Sequence, residues 1–257
     1  MKKRLLALFV GLLMCGASQA MAFSLPLGPV EIKYKNWESL VDKDSDGVNS
    51  VGDGYRGLIR LTSIDTPGGA PLWSQSGNGQ EITGTIEGLL ISSITTLAVG
   101  YNVQFTGGVI KLYLDSTPEY ANPATGLAPA NFVDSDTGNT FLELTFNTGI
   151  RPDSPTTTQD SVVSGLTNPL SGTGTFYADV TGGDFASMFN SDAFSTAFGK
   201  RDIHARSDIE GPGNFGFTLN SDDPAAAQVV PEPGTMALVG IGLLGFAIAG
   251  KRRSNKK

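Results

Sequence analysis

The chain has 257 residues, with 18 Lys+Arg against 25 Asp+Glu, a formal charge of -7, one Cys, one His, 33 Gly and 14 Pro. Only 17% of residues are charged while 40% are apolar, which excludes a coiled coil or a charge-driven disordered chain and points to a glycine-punctuated β domain. Acidity without a Lys/Arg cluster in the body excludes a nucleic-acid partner. One Cys excludes an intramolecular disulfide, and one His excludes a multi-His metal site.

Residues 1–22 have the layout of a secretory signal peptide: basic Lys2, Lys3 and Arg4, an uncharged apolar run from Leu5 to Ala17, and small residues at Ala20 and Ala22. Cleavage is expected after Ala22, with Ala20 as the alternative. The apolar run is shorter than the ~20 residues a membrane span needs.

Residues 23–220 are expected to form one exported all-β domain, a single β-sandwich or jelly-roll-like fold with one short helix. Alternating apolar and polar residues place strands at Val30–Tyr34, Gly57–Ile64, Ile82–Ile94, Tyr101–Phe105, Val109–Leu114, Phe141–Phe146, Thr173–Val180 and Phe215–Leu219. Gly107-Gly108 has the positive-φ freedom of a tight hairpin turn. From Asp184 to Phe198, Phe185, Met188, Phe189, Ala193, Ala197 and Phe198 recur near helical spacing, with Asp184 as N-cap and Gly199 as stop. The segments 122–131 and 151–160 read as loops, and 221–229 as a linker.

One loop has ligand spacing. From Asp42 to Asp53 the sequence supplies carboxylates at Asp42, Asp44, Asp46 and Asp53, a glycine at Gly47, a backbone carbonyl at Val48 and a hydroxyl at Ser50. This matches positions 1, 3, 5, 12, 6, 7 and 9 of a twelve-residue calcium loop, in which alternate residues of a tight turn point inward at the ion. With Asp rather than Glu at the last position, it resembles dockerin loops more than those of sensor EF-hands. The glycine-rich stretch after Gly52 cannot be a flanking helix, so the loop is expected between strands. Four carboxylates crowded around one Lys repel one another unless a cation joins them, so Ca2+ is expected as a structural cofactor, at the ~10⁻⁴ to 10⁻³ M affinity of extracellular modules. No nucleophile elbow, zinc-protease helix or phosphate loop is present, and His204 reads as a surface residue, so no catalytic residue is assigned.

The C-terminus carries a second address. Val230-Pro231-Glu232-Pro233 precedes an uncharged run that ends at Gly250, and Lys251, Arg252 and Arg253 follow, with Lys256 and Lys257 at the end. The 18 uncharged residues from Pro233 to Gly250 would reach ~27 Å as a helix, enough for a thin bilayer, so a transmembrane helix is expected over about 235–250. Basic residues at 251–257 hold that side in the cytoplasm and leave the body outside. The two prolines keep Glu232 extended at the membrane edge. Together the three parts, over 230–257, resemble the PEP-CTERM sorting signal of Gram-negative bacteria. That resemblance implies an inner-membrane-anchored precursor, processing by an exosortase near Pro-Glu-Pro, and delivery to the cell surface or exopolysaccharide matrix.

Three of the 18 basic residues lie in the signal peptide and five in the tail, so processing leaves ten against 25 acidic ones, a charge of about -15. The reading is an exported surface or matrix protein with a structural or adhesive role and no enzymatic activity. The alternatives are a carbohydrate-binding module of the matrix, with Trp37 and Trp73 as candidate stacking residues, and a polysaccharide hydrolase acting through two facing carboxylates.

Overall fold

The computed structural model describes residues 25–231 apart from 70, 76, 78, 117–139, 215 and 216. The expected signal peptide and transmembrane helix, as well as Glu232, Pro233, Lys251, Arg252 and Arg253, lie outside the described residues. In chain order the elements are β1 (Gly28–Val41), β2 (Gly54–Asp65), β3 (Pro71–Ser74), β4 (Glu81–Thr96), β5 (Tyr101–Asp115), β6 (Thr140–Asn147), β7 (Gln159–Val163), β8 (Ser171–Gly182), α1 (Ala186–Phe189), β9 (Phe194–Thr196), β10 (Gly199–Arg201), β11 (Ile203–Glu210) and β12 (Leu219–Val229).

The all-β expectation holds, but the sheet does not divide into two layers. The strands follow the order β1-β12-β11-β8-β6-β5-β4-β2, and β2 pairs back onto β1, so the expected sandwich is replaced by a closed eight-strand barrel. Every pairing in it is antiparallel. Alternation alone cannot separate the two architectures, since each buries one face of every strand. Closure depends on β12, whose Asn-Ser-Asp-Asp-Pro-Ala-Ala-Ala sequence lacks the β-branched residues of a readable strand. The expected linker 221–229 is therefore a barrel stave, paired with β1 from Gly28↔Val229 to Glu38↔Leu219 and with β11 on its other side.

Two further expectations are corrected. Gly107-Gly108 is not a hairpin turn but a kink inside one continuous strand, β5, paired along its length with β4. Both glycines have positive φ, 74° and 103°, as does Gly88 opposite them at 74°. A Cβ on Gly108 would come within 2.8 Å of the Phe146 ring, so the bend that lets a sheet curl shut brings backbone against ring there. The expected helix from Asp184 to Phe198 shrinks to the four residues of α1, preceded by Phe185 with no side-chain cap. Asp202 accepts the amides of Ser191 and Asp192 at 2.7 and 2.8 Å, Asp192 takes φ 53°, and the remainder becomes the β9–β10 hairpin that contains Gly199. The segment 151–160 is a loop only up to β7, which completes the β6 stave by pairing with β5 and β8 beyond the end of β6.

The barrel interior is the core. Ile59, Leu61, Ile86, Leu89, Ile110, Leu112 and Leu144 line one side, and small Ala178, Ala205, Ala225 and Ala227 lie on β8, β11 and β12; pairing small with large residues fits side chains to a barrel of this size. Phe146 and Phe176 stack at 4.0 Å. Each such aliphatic or aromatic side chain contributes about 1.5–3 kcal/mol on burial. One end is plugged by α1, where Phe141 meets Phe185 and Phe189 at 5.0 and 6.0 Å and Val230 N–H donates to Met188 O. Residues 25–28 enter and 229–231 leave at this end. Since β1 has 14 residues, the loop 42–53 lies at the other end, roughly 30–40 Å away.

Candidate functional site

Two acidic regions emerge, one at the rim and one inside. At the rim, β1 and β2 hold the loop 42–53 between strands, as its glycine-rich flank predicts. Carboxylate oxygens of Asp42, Asp44 and Asp46 lie within 4.8 Å of one another. Ser45 at φ 61° and Gly47 at φ 74° supply the curvature that brings them together. Asp42 accepts the amides of Asp44 and Ser45 on Oδ1 and of Gly47 on Oδ2, at 3.1, 2.6 and 2.7 Å, while Asp46 accepts Val48 N–H at 2.7 Å. The Gly47 amide holds the Asp42 carboxyl below the usual carboxylate range. Its hydrogen bond with Asp42, and then burial and the Asp46 and Asp42 charges, push Asp44 above it.

The other expected ligands are placed differently. Asp53 is buried and accepts Lys43 N–H at 2.9 Å, Ser50 N–H at 2.8 Å and Ser50 Oγ–H at 3.0 Å; the Lys43 amide is the largest cause of its lowered pKa. Ser50 and Asp53 thus bind each other and the loop backbone, apart from the trio. Beneath them Asn49 donates from N and Nδ2 to Leu166 O, both at 2.9 Å, and accepts from Tyr55 OH at 2.6 Å, which ties the loop to the barrel rim.

Inside, β1 breaks its own pattern. Val30, Ile32 and Tyr34 point inward, and the next inward positions are Asn36 and Glu38. They border a cavity of about 60 Å³ whose wall is otherwise mostly aliphatic, and Glu38 also borders an adjoining one of about 30 Å³. Tyr34 OH and Ser207 Oγ are 2.6 Å apart, Ser221 Oγ–H donates to Asn36 Oδ1, and Asn36 Nδ2 donates to Glu38 Oε1 at 2.6 Å. Glu38 borders both cavities, and its desolvation there raises its pKa to about 7. Sequence reasoning misses this stripe because it is assembled from three strands, β1, β11 and β12. The one local signal is the pair of polar residues at inward parity after three apolar ones.

The remaining singled-out residues serve packing. Trp37 is buried with Leu58 and Phe217 on the outer face, under the Arg60 guanidinium 5.4 Å from its ring, and Trp73 is buried in the core; neither offers an open face to a sugar ring. His204 is half-buried against Tyr177, 4.6 Å between centroids, and burial lowers its pKa. Among the described residues no helix is long and apolar enough to cross a membrane.

No curated protein and no solved structure matches the chain. Residues 229–253 match the model of the PEP-CTERM protein-sorting motif, which covers Val230, Pro231, Glu232, Pro233, Lys251, Arg252 and Arg253. The chain therefore carries, directly after its closing strand, the sorting motif of an exported protein held as a membrane-anchored precursor and targeted to an exosortase.

Proposed function

We propose that the processed barrel is a structural or adhesive component of the outer cell surface or exopolysaccharide matrix, stabilised by one calcium ion in the loop 42–53 and without enzymatic activity of its own. The observation that carries this reading is the join between barrel and motif. The motif begins at Val229, the last residue of β12, which pairs with Gly28 at the start of β1. Anchored there, the barrel stands on its α1 end and presents the loop 42–53 outward. That outer end also carries exposed Val41, Val51, Leu97 and Val99, the last 87% exposed, apolar contact points suited to a surface role. The close approach of Asp42, Asp44 and Asp46 supports calcium, since oxygen-only ligands on a tight loop suit a hard cation.

Mass spectrometry of the protein from membrane, surface and culture fluid, with and without an active exosortase, tests the sorting reading. Loss of residues 251–257 from the surface form only when exosortase is active is the expected result. If that tail persists on the surface form in both strains, the reading fails.

A further inference from the structure

The join between barrel and sorting motif limits how far the barrel can stand from the bilayer. As a helix, the 18 uncharged residues from Pro233 to Gly250 reach ~27 Å against a hydrocarbon core of about 30 Å. The span has none to spare, so Pro233 is expected at the hydrocarbon edge. Val230 still belongs to the barrel, its N–H donating to Met188 O at 2.8 Å. The three residue steps from Val230 to Pro233 give at most about 11 Å of extended chain. Headgroups fill about 5–7 Å of that, so the α1 end reaches them or stops a few ångströms short.

What this end offers suits such a surface. Leu27 is 64% exposed and precedes Gly28, which pairs with Val229 about 5 Å away across the ladder, so it sits beside the exit of the chain. Pro26 and Pro231 are exposed there as well. The sequence carries no charge over 23–30, where β1 enters, or over 66–80, the connection from β2 to β4 at the same end. Asp184 and Asp192 are exposed too, but they follow β8, three staves round from β1. Exposure alone does not choose this end, since Val51 and Val99 at the other are 61% and 87% exposed; the short tether does. We infer that the α1 end is a lipid-contact surface of the membrane-anchored precursor, with Leu27 seated at the boundary between headgroups and acyl chains and the acidic loop 42–53 held away from the bilayer. This rests on the anchored precursor and not on the calcium or adhesive reading.

The test is leucine methyl NMR of the full chain in nanodiscs of phosphatidylethanolamine and phosphatidylglycerol, once with 5-doxyl lipid in the bilayer and once with a water-soluble gadolinium chelate. Leu90 and Leu97, exposed at the other end, are the reference. Because they lie roughly 30–40 Å away, the doxyl lipid should broaden the Leu27 methyls at least about tenfold more than theirs. The chelate should broaden Leu27 less than either, although Leu27 is the most exposed of the three. If Leu27 is as open to the chelate as Leu97 in a chain that co-migrates with the discs, this inference is overturned and the anchored precursor stands. Protection from the chelate without doxyl broadening would mean that protein, from a second copy or from this chain, covers Leu27, and would overturn it as well. A chain that does not enter the discs would overturn both.

Discussion

Glu38 and the Asp42, Asp44 and Asp46 trio carry the same functional group under opposite constraints. Glu38 is a single carboxyl walled in by hydrocarbon, with one amide donor on one oxygen, and it responds by holding its proton up to about pH 7. The trio faces water and suffers from crowding instead; backbone amides lower Asp42 while its neighbours raise Asp44. Desolvation governs the first, and hydrogen bonding governs the second, from the Gly47 amide to Asp42 and between Asp42 and Asp44. The difference teaches that acidity in this protein is managed by place: inside the barrel by neutralisation, at the rim by backbone donors and, as proposed, a cation.

The largest effect should separate the two regions by packing. Leu112→Ala, in the lumen wall, should lower stability by about 2–5 kcal/mol, against less than about 0.5 kcal/mol for exposed Asp46→Ala in calcium-free buffer. Urea unfolding of both variants reads this directly, and equal losses would break the comparison.

Next comes pH. With its folded pKa about 7 against an ordinary 4.5, Glu38 binds its proton more tightly in the folded state. Its contribution is fully present below pH 4.5 and is lost as pH rises through 7, by up to about 3 kcal/mol. Asp42 has the opposite sign, stabilising above the ordinary carboxylate range and losing that as pH falls. Glu38→Gln should flatten stability between pH 5 and 8 in denaturant melts; an unchanged profile would remove Glu38 from the explanation.

Within the rim, Asp53 should matter more than the trio. Asp53→Ala leaves the Lys43 and Ser50 donors unsatisfied, a loss of about 1–3 kcal/mol by chemical denaturation. Retained stability would mean that the loop does not need this anchor.

The smallest effect is that of calcium. At ten times its dissociation constant an ion adds about 1.4 kcal/mol, or roughly 3–6 °C in Tm for a domain of this size. Calorimetric melting with calcium and then with excess chelator should show that shift, and Asp46→Ala should abolish it. An unchanged midpoint in the native chain would remove calcium from the rim.

Much of the barrel is legible because its pattern is local. β2, β4, β6 and β8 announce themselves by alternation, and the Asp trio by spacing within five residues. What escapes is set by partners distant in sequence. β12 is held in the sheet by pairing on both sides rather than by its own composition. Gly107 and Gly108 have the conformational freedom of a turn, but the long register with β4 uses it for a bend. The aromatic spacing after Asp184 is satisfied by one helical turn against Phe141, because Asp202, eighteen residues further on, captures the next amides. The lumen stripe was out of reach for the same reason: Ser207 and Ser221 meet Tyr34 and Asn36 only when the barrel closes.

A pH titration of side-chain carboxyl carbons by NMR, with and without calcium, tests both regions in one sample. Glu38 titrating near pH 7 irrespective of calcium, with Asp42 and Asp44 splitting below and above the ordinary carboxylate value and moving down together when calcium is added, is the expected result. A Glu38 midpoint near 4.5, or Asp midpoints indifferent to calcium, would contradict the division between a neutralised interior acid and a cation-seeking rim.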